Sequence, residues 1–219
     1  MHYTKNRISE YQSGVELLFK NSMDQELVKS IVDKYGYDEA QLSLMYNLNK
    51  ELRELLGRLE VAKHQKVLVY DQKNQLFAQL KKDYMRYLKL TRIALADDAG
   101  ASAALLLEGA RARTNNALEL QIRAFVSNLL NSKVWLEALG VYNVSVADVK
   151  KLQSDLEQLV QRNRVCLEAQ GEVRSLTVYK KKLLVKLQAY VSDYVKVVRI
   201  AFEEKPKLLV SLGINVKTG

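Results

Sequence analysis

One cysteine, one proline and two histidines are spread over 219 residues. A single thiol, Cys166, excludes an intramolecular disulfide, and His2 and His64 leave little material for a His/Cys metal site. A reducing, cytoplasmic setting fits that composition. The longest uncharged apolar run, residues 99–107, falls far short of the roughly 20 residues that span a bilayer. No membrane span is therefore expected. Met1 to Arg7 is polar and carries no apolar signal-peptide centre. Also missing are a Gly-rich phosphate loop, a Gly-x-Ser-x-Gly elbow, zinc-ligand spacing and the Glu-x-x-His pairs of di-iron bundles. The expectation is no catalytic residue, no cofactor and no metal, and so a protein that is not an enzyme.

Low proline and nine glycines also have a positive meaning. Proline removes a backbone donor and glycine costs backbone entropy, so a chain that avoids both and is rich in Leu, Lys, Gln, Glu and Ala suits long helices. An all-α fold follows. With 48% hydrophobic residues, the chain has ample material for a core.

Its organising feature is a stretch written twice. Tyr84-Met85-Arg86-Tyr87-Leu88-Lys89-Leu90-Thr91-Arg92-Ile93-Ala94-Leu95 returns as Val191-Ser192-Asp193-Tyr194-Val195-Lys196-Val197-Val198-Arg199-Ile200-Ala201-Phe202. The offset is 199 − 92 = 107 positions, without a gap. Asp38 with Gln41 and, at the same offset, Ser145 with Asp148 have capping-box spacing, so helix punctuation is duplicated too. The chain reads as a single helical domain, residues 1–219, made of two tandem repeats at about 8–98 and 115–205.

Within the first repeat, Ser9 and Gln12 have the spacing of an opening cap, and Tyr11, Val15, Leu18, Phe19 and Met23 form one apolar face. Ser22 and Gln25 would recap the chain after a bend. Leu27, Ile31 and Val32 then continue the stripe to a left-handed stop at Gly36. The second repeat mirrors this with Leu118, Ile122, Phe125, Val126, Leu129 and Val134, followed by Gly140 as the corresponding stop. Behind the two internal caps run heptads: Leu42, Met45, Asn49, Leu52, Leu56 and Leu59, and Val149, Leu152, Leu156, Leu159, Asn163 and Cys166. The register resumes at Phe77, Leu80, Tyr84, Tyr87 and Leu95, and at Leu184, Leu187, Val191, Tyr194 and Val198. Asn49 and Asn163 are expected to set register within this coiled-coil-like seam.

Between the blocks the seam turns polar at Lys63, Lys66 and Lys73, and at Gln170 and Lys180. Two arrangements fit. Each repeat holds one helix from about Asp38 to Asp97, roughly 90 Å long at 1.5 Å per residue; or a tight turn near Ala62 to Lys66, with Gly171 as its counterpart, gives six shorter helices. Unbroken register and the apolar stripe Leu55, Ala62, Val69 and Leu76 favour the first. Ala99-Gly100-Ala101-Ser102 would link the repeats, and Glu203 to Pro206 would end the last helix. Two such repeats would pack about a pseudo-twofold axis as an antiparallel, elongated helical bundle.

The ending Arg199-Ile200-Ala201, two acidic residues, Pro206, Leu208-Leu209 and Leu212-Gly213-Ile214 resembles that of a family of uncharacterised bacterial all-helical proteins. The resemblance covers chiefly the last 50 or so residues. It implies a bacterial origin and an all-helical fold, and it brings no activity.

Few residues invite chemistry. His64 sits among Lys63, Gln65 and Lys66 and reads as a solvated histidine. Cys166, on the seam, reads as a small buried thiol. Arg92 and Arg199 recur in an apolar setting, where each would favour a helix C-terminus and reach Asp97 or Glu203. The net charge of +9 draws attention to a candidate basic surface, Lys81, Lys82, Arg86 and Lys89 with Lys180, Lys181, Lys182 and Lys186, suited to phosphate backbones or another anionic surface. Against this, acidic residues are interspersed and no nucleic-acid motif is present. The favoured reading is a structural or adaptor protein that presents helical faces to a protein partner or a second copy of itself. The alternative is a basic, non-specific binder of nucleic acid or an anionic surface.

Overall fold

The computed structural model describes residues 8–215, all-helical and without a strand among them. Eight helices follow in order: α1 (Ile8–Asp24), α2 (Glu26–Asp33), α3 (Glu39–Ala94), α4 (Ala99–Ala104), α5 (Asn115–Leu130), α6 (Lys133–Gly140), α7 (Val146–Ala201) and α8 (Pro206–Ser211). The starts of α5, α6, α7 and α8 stand 107 positions after those of α1, α2, α3 and α4. The duplication is thus one of helix punctuation through the whole described chain. Both α3 and α7 are continuous over 56 residues, which decides between the two arrangements that the sequence allowed.

Local chemistry explains these boundaries. Asp38 Oδ1 accepts the Gln41 N–H at 2.8 Å ahead of α3. Ahead of α7 the box is reciprocal: Ser145 Oγ accepts the Asp148 N–H at 3.2 Å, and Asp148 Oδ2 accepts the Ser145 N–H at 2.8 Å. The Ser145 hydroxyl and N–H hold the Asp148 carboxyl below its ordinary pKa. Pro206 opens α8 at the first turn, where its missing N–H would have had no partner.

Four Schellman ends close α2, α6, α4 and α8. At each, a left-handed residue donates three positions back and its successor donates five back. The left-handed residues are Gly36 and Asn143, 107 apart, and Leu106 and Gly213, also 107 apart, with φ of 84°, 57°, 49° and 71°. The stop equivalent to Gly36 is therefore Asn143, and Gly140 is the last helical residue of α6. Asparagine tolerates this region because its short amide bonds locally.

Three other expectations are corrected. Ser9 lies inside α1, and Ser22 caps nothing: its hydroxyl donates to the Leu18 carbonyl at 2.7 Å. Leu27 and Val134 are 51% and 71% exposed, because extended backbone at Gln25 and Ser132 restarts the helix and resets its phase. Val28 is the buried residue instead. Ala99 to Ser102, expected as a linker, lie in α4, because the Asp98 side chain accepts the Ala101 N–H at 2.8 Å and caps it.

Contacts gather the chain into two compact units, residues 1–63 with 171–219, and residues 64–170. The first has a core built from α1, α2, the early part of α3, the late part of α7, and α8. Val15, Leu18, Phe19, Leu42, Leu52, Leu187, Val191 and Tyr194 are completely buried in it. Within it α3 and α7 run antiparallel: the Tyr37 ring meets Tyr194 edge-on at 4.8 Å, and Glu51 accepts the Tyr179 hydroxyl. The second unit uses the late part of α3, α4, α5, α6 and the early part of α7, around Leu80, Tyr84, Leu88, Ile122, Phe125, Leu129 and Val149. The Tyr84 and Phe125 rings meet edge-on at 5.3 Å, a favoured aromatic geometry.

Each unit therefore mixes segments of both repeats. One polar pair marks the exchange twice: Asn21 Nδ2 donates to the Ser211 carbonyl at 2.6 Å, and Asn128 Nδ2 donates to the Ala104 carbonyl at 2.7 Å. Donors and acceptors are both 107 apart.

Candidate functional site

Helix phase decides which cations share a face, since residues three, four and seven apart align along a helix. On α3, in the unit of residues 64–170, Lys82, Arg86 and Lys89 have that spacing and are exposed, with Lys81 exposed to one side. Asp83 lies on the same turn and accepts the Gln79 amide at 2.8 Å. On α7, in the other unit, Lys181, Lys182 and Lys186 are exposed and Lys180 is half-buried, turned toward the side of the helix that carries Leu176 and Leu187. The eight basic candidates thus divide between the two units, four in each.

The α7 group has the simpler electrostatics. From Val173 to Ser192 there are five cations, Arg174, Lys180, Lys181, Lys182 and Lys186, and no Asp or Glu. Lys186 Nζ stands 5.9 Å from the Tyr190 ring centroid, close enough for a cation–π attraction. Beside this face, from α3, lies Glu51, bonded to Tyr179; that bond and the Glu51 charge raise the Tyr179 pKa.

The tyrosines and arginines of the repeated stretch have packing roles. Tyr194, completely buried, donates to Ser22 Oγ at 2.6 Å, and burial pushes its pKa up to about 12. Tyr87, at the equivalent position, is buried and its pKa is raised by that burial. Arg92 Nε donates to the Leu107 carbonyl at 2.5 Å, and an Arg199 nitrogen donates to the Asn215 carbonyl at 3.1 Å. Each arginine therefore ties the end of a long helix to the backbone beyond the next short helix, where the sequence pointed to Asp97 and Glu203.

Arg111, passed over in the sequence, organises the connection after α4. Its terminal nitrogens donate to Tyr84 Oη at 3.0 Å and to the carbonyls of Leu106, Glu108 and Gly109 at 2.7, 2.6 and 3.1 Å. The signal for it was weak: an arginine two positions after Gly109, with no counterpart in the first repeat among the described residues. Asn21 and Asn128 were also missed, although identity at the repeat offset was visible.

In the first unit a cleft of about 220 Å³ is lined by Glu16, Tyr46, Asn49, Lys50, Arg53 and Glu54. Arg53 and Glu16 form an ion pair there. Buried Asn49 donates to the Gln12 carbonyl at 3.0 Å, so this seam asparagine binds α3 to α1, while Asn163 is half-buried. Both charge signs line the cleft and give it no preference for an anion or a cation.

His64 is exposed, Cys166 is buried with its thiol 3.4 Å from the Val69 carbonyl, and His2 lies outside the described residues. Among the described residues no group of three His, Cys, Asp or Glu side chains could hold a metal ion, and no helix is long and apolar enough to cross a membrane. Comparison with protein-family models, curated proteins and solved structures finds no match to this chain.

Proposed function

We propose that this is a non-enzymatic adaptor or scaffold, a cytoplasmic bacterial protein whose helical faces bind another protein. One observation carries the reading: equivalent large apolar side chains stand in solvent in both repeats. Ile93 and Ile200 are 59% and 66% exposed, and Tyr35 and Tyr142, like Leu27 and Val134, form further exposed pairs at the same offset. Scattered exposed apolar residues need no explanation. Their recurrence at the same positions in two diverged copies is what a binding role would require.

The test is capture from a bacterial lysate on immobilised protein, with Ile93→Glu/Ile200→Glu as the comparison and nuclease added throughout. Discrete proteins retained by the native chain and released by the double substitution are expected. Retention of the same proteins by both, or of none, overturns the reading. Circular dichroism checks that the variant keeps its helices. A second reading, a non-specific binder of nucleic acid or an anionic surface, draws support from the acid-free run of residues 173–192. It requires that material be retained at low salt and lost on nuclease treatment or in added salt.

A further inference from the structure

The late part of α7 presents a face that nothing in its own unit covers, and its chemistry is specific. Leu176, Leu183, Leu184, Leu187, Val191 and Tyr194 point into the core. On the opposite side Val178 and Val185 are 50% and 59% exposed. Seven residues apart, they are two turns and about 10 Å from each other along the axis, and exposed Ala189 continues the line. Arg174 and Lys181 flank this line on one side, Lys182 and Lys186 on the other, all exposed. None of the ion pairs among the described residues takes in any of the four.

We infer that this face docks an acidic amphipathic helix of a partner protein, apolar residues on the Val178–Val185 line and carboxylates against the lysine rails. The inference deepens the adaptor reading and rests on it. Two features select this occupant. A heptad-spaced apolar line between two rows of one charge is half of a helix pair, in which the flanking positions choose the partner by opposite charge. A nucleic-acid backbone would use the cations and leave the valines without a role. A bilayer surface would call for larger anchors, such as Trp, Phe or Leu, than two valines and an alanine.

The probe is a fluorescein-labelled synthetic helix of about three heptads, leucine at the seam and glutamate beside it. Its anisotropy is followed on titration with the full chain at about 50 mM salt, where exposed charges are lightly screened. Micromolar binding is expected. Val178→Ser/Val185→Ser should weaken it about tenfold, the effect of withdrawing two half-buried apolar side chains from contact. Lys181→Glu/Lys182→Glu/Lys186→Glu should abolish it. Absence of binding by the folded native chain overturns the inference, as does binding that ignores the valine substitutions. A single-stranded oligonucleotide and phosphatidylserine vesicles run in parallel: tighter binding of either, unaffected by the valine pair, reassigns the face to a polyanion or a membrane and overturns the inference as well. Ile93 and Ile200 are untouched in these variants, so failure here leaves the lysate result standing on its own.

Discussion

Replacing Gly171 by alanine puts a methyl group where no heavy atom lies within 4 Å, inside the continuous helix α7. The same holds for Gly57 inside α3 and for Gly36, but Gly36 has a φ of +84°. Space is therefore equal at the three sites, and only backbone conformation differs. In a helix interior alanine is better than glycine by about 0.8–1.0 kcal/mol, so Gly57→Ala and Gly171→Ala should each stabilise by about that amount. The two together should give about 2 kcal/mol, since neither methyl meets the other's surroundings. At Gly36 a side chain in the left-handed region costs about 1–2 kcal/mol. Reduced freedom of the unfolded chain returns part of that, about 0.4–1 kcal/mol. Gly36→Ala should destabilise by about 0.5–1 kcal/mol, while Gly36→Asn, the residue at the equivalent position 143, should be close to neutral. Urea unfolding followed by far-UV circular dichroism reads these differences in the midpoint at constant slope. Each kcal/mol corresponds to about 2–4 °C in a thermal scan for a chain of this size. Gly171→Ala is the decisive variant. A turn at that position would need the glycine, so a fall in stability on substitution would refute the continuity of α7.

Tyr194 makes stability pH-dependent in alkali. Its folded pKa of about 12 lies above the ordinary value near 10, so the unfolded chain loses the proton first. The stabilisation is complete below about pH 10 and is lost as pH rises through 12, a total of about 3 kcal/mol from this group; Tyr11, raised by burial, acts in the same direction. Tyr194→Phe should flatten the Tyr194 contribution while costing about 1 kcal/mol at neutral pH for the bond to Ser22, both measurable by urea unfolding across pH. Ser145→Ala removes one half of the cap of α7 and should cost about 1 kcal/mol. It should also return Asp148 toward its ordinary carboxyl pKa. In the native chain the stability linked to Asp148 is present above that ordinary value and lost as pH falls through the lowered one, so the alanine variant should be less sensitive to acid.

Much of this fold was legible because duplication let each repeat check the other. The heptads, the two internal caps and the stripe Val15, Leu18 and Phe19 all follow from side-chain period, and period is written in the order of residues. What escaped was phase. One extended residue at Gln25 or Ser132 shifts the buried face, so Leu27 and Val134 were assigned to a core that they do not enter. Asn143 escaped because glycine is the stronger sign of a left-handed stop, and Ser22 because a hydroxyl before a helix start and a hydroxyl buried under a tyrosine have the same letter. Among candidate residues, the lysines were visible from charge alone. The line of Val178 and Val185 between them was not, because isolated valines have no meaning until the buried side of α7 is known.

The exchange of segments between repeats sets an order of events during synthesis. Residues 64–170 form one compact unit, whereas residues 1–63 belong with 171–219. A ribosome adding about 5–20 residues per second needs on the order of 10 s to pass from the first segment to the last. For that interval Phe19 has no Tyr194 ring to pack against, and Asn21 no Ser211 carbonyl to bond. All of residues 64–170 are made before the end is, and until then the apolar face of α1 lacks the partners that α7 and α8 supply.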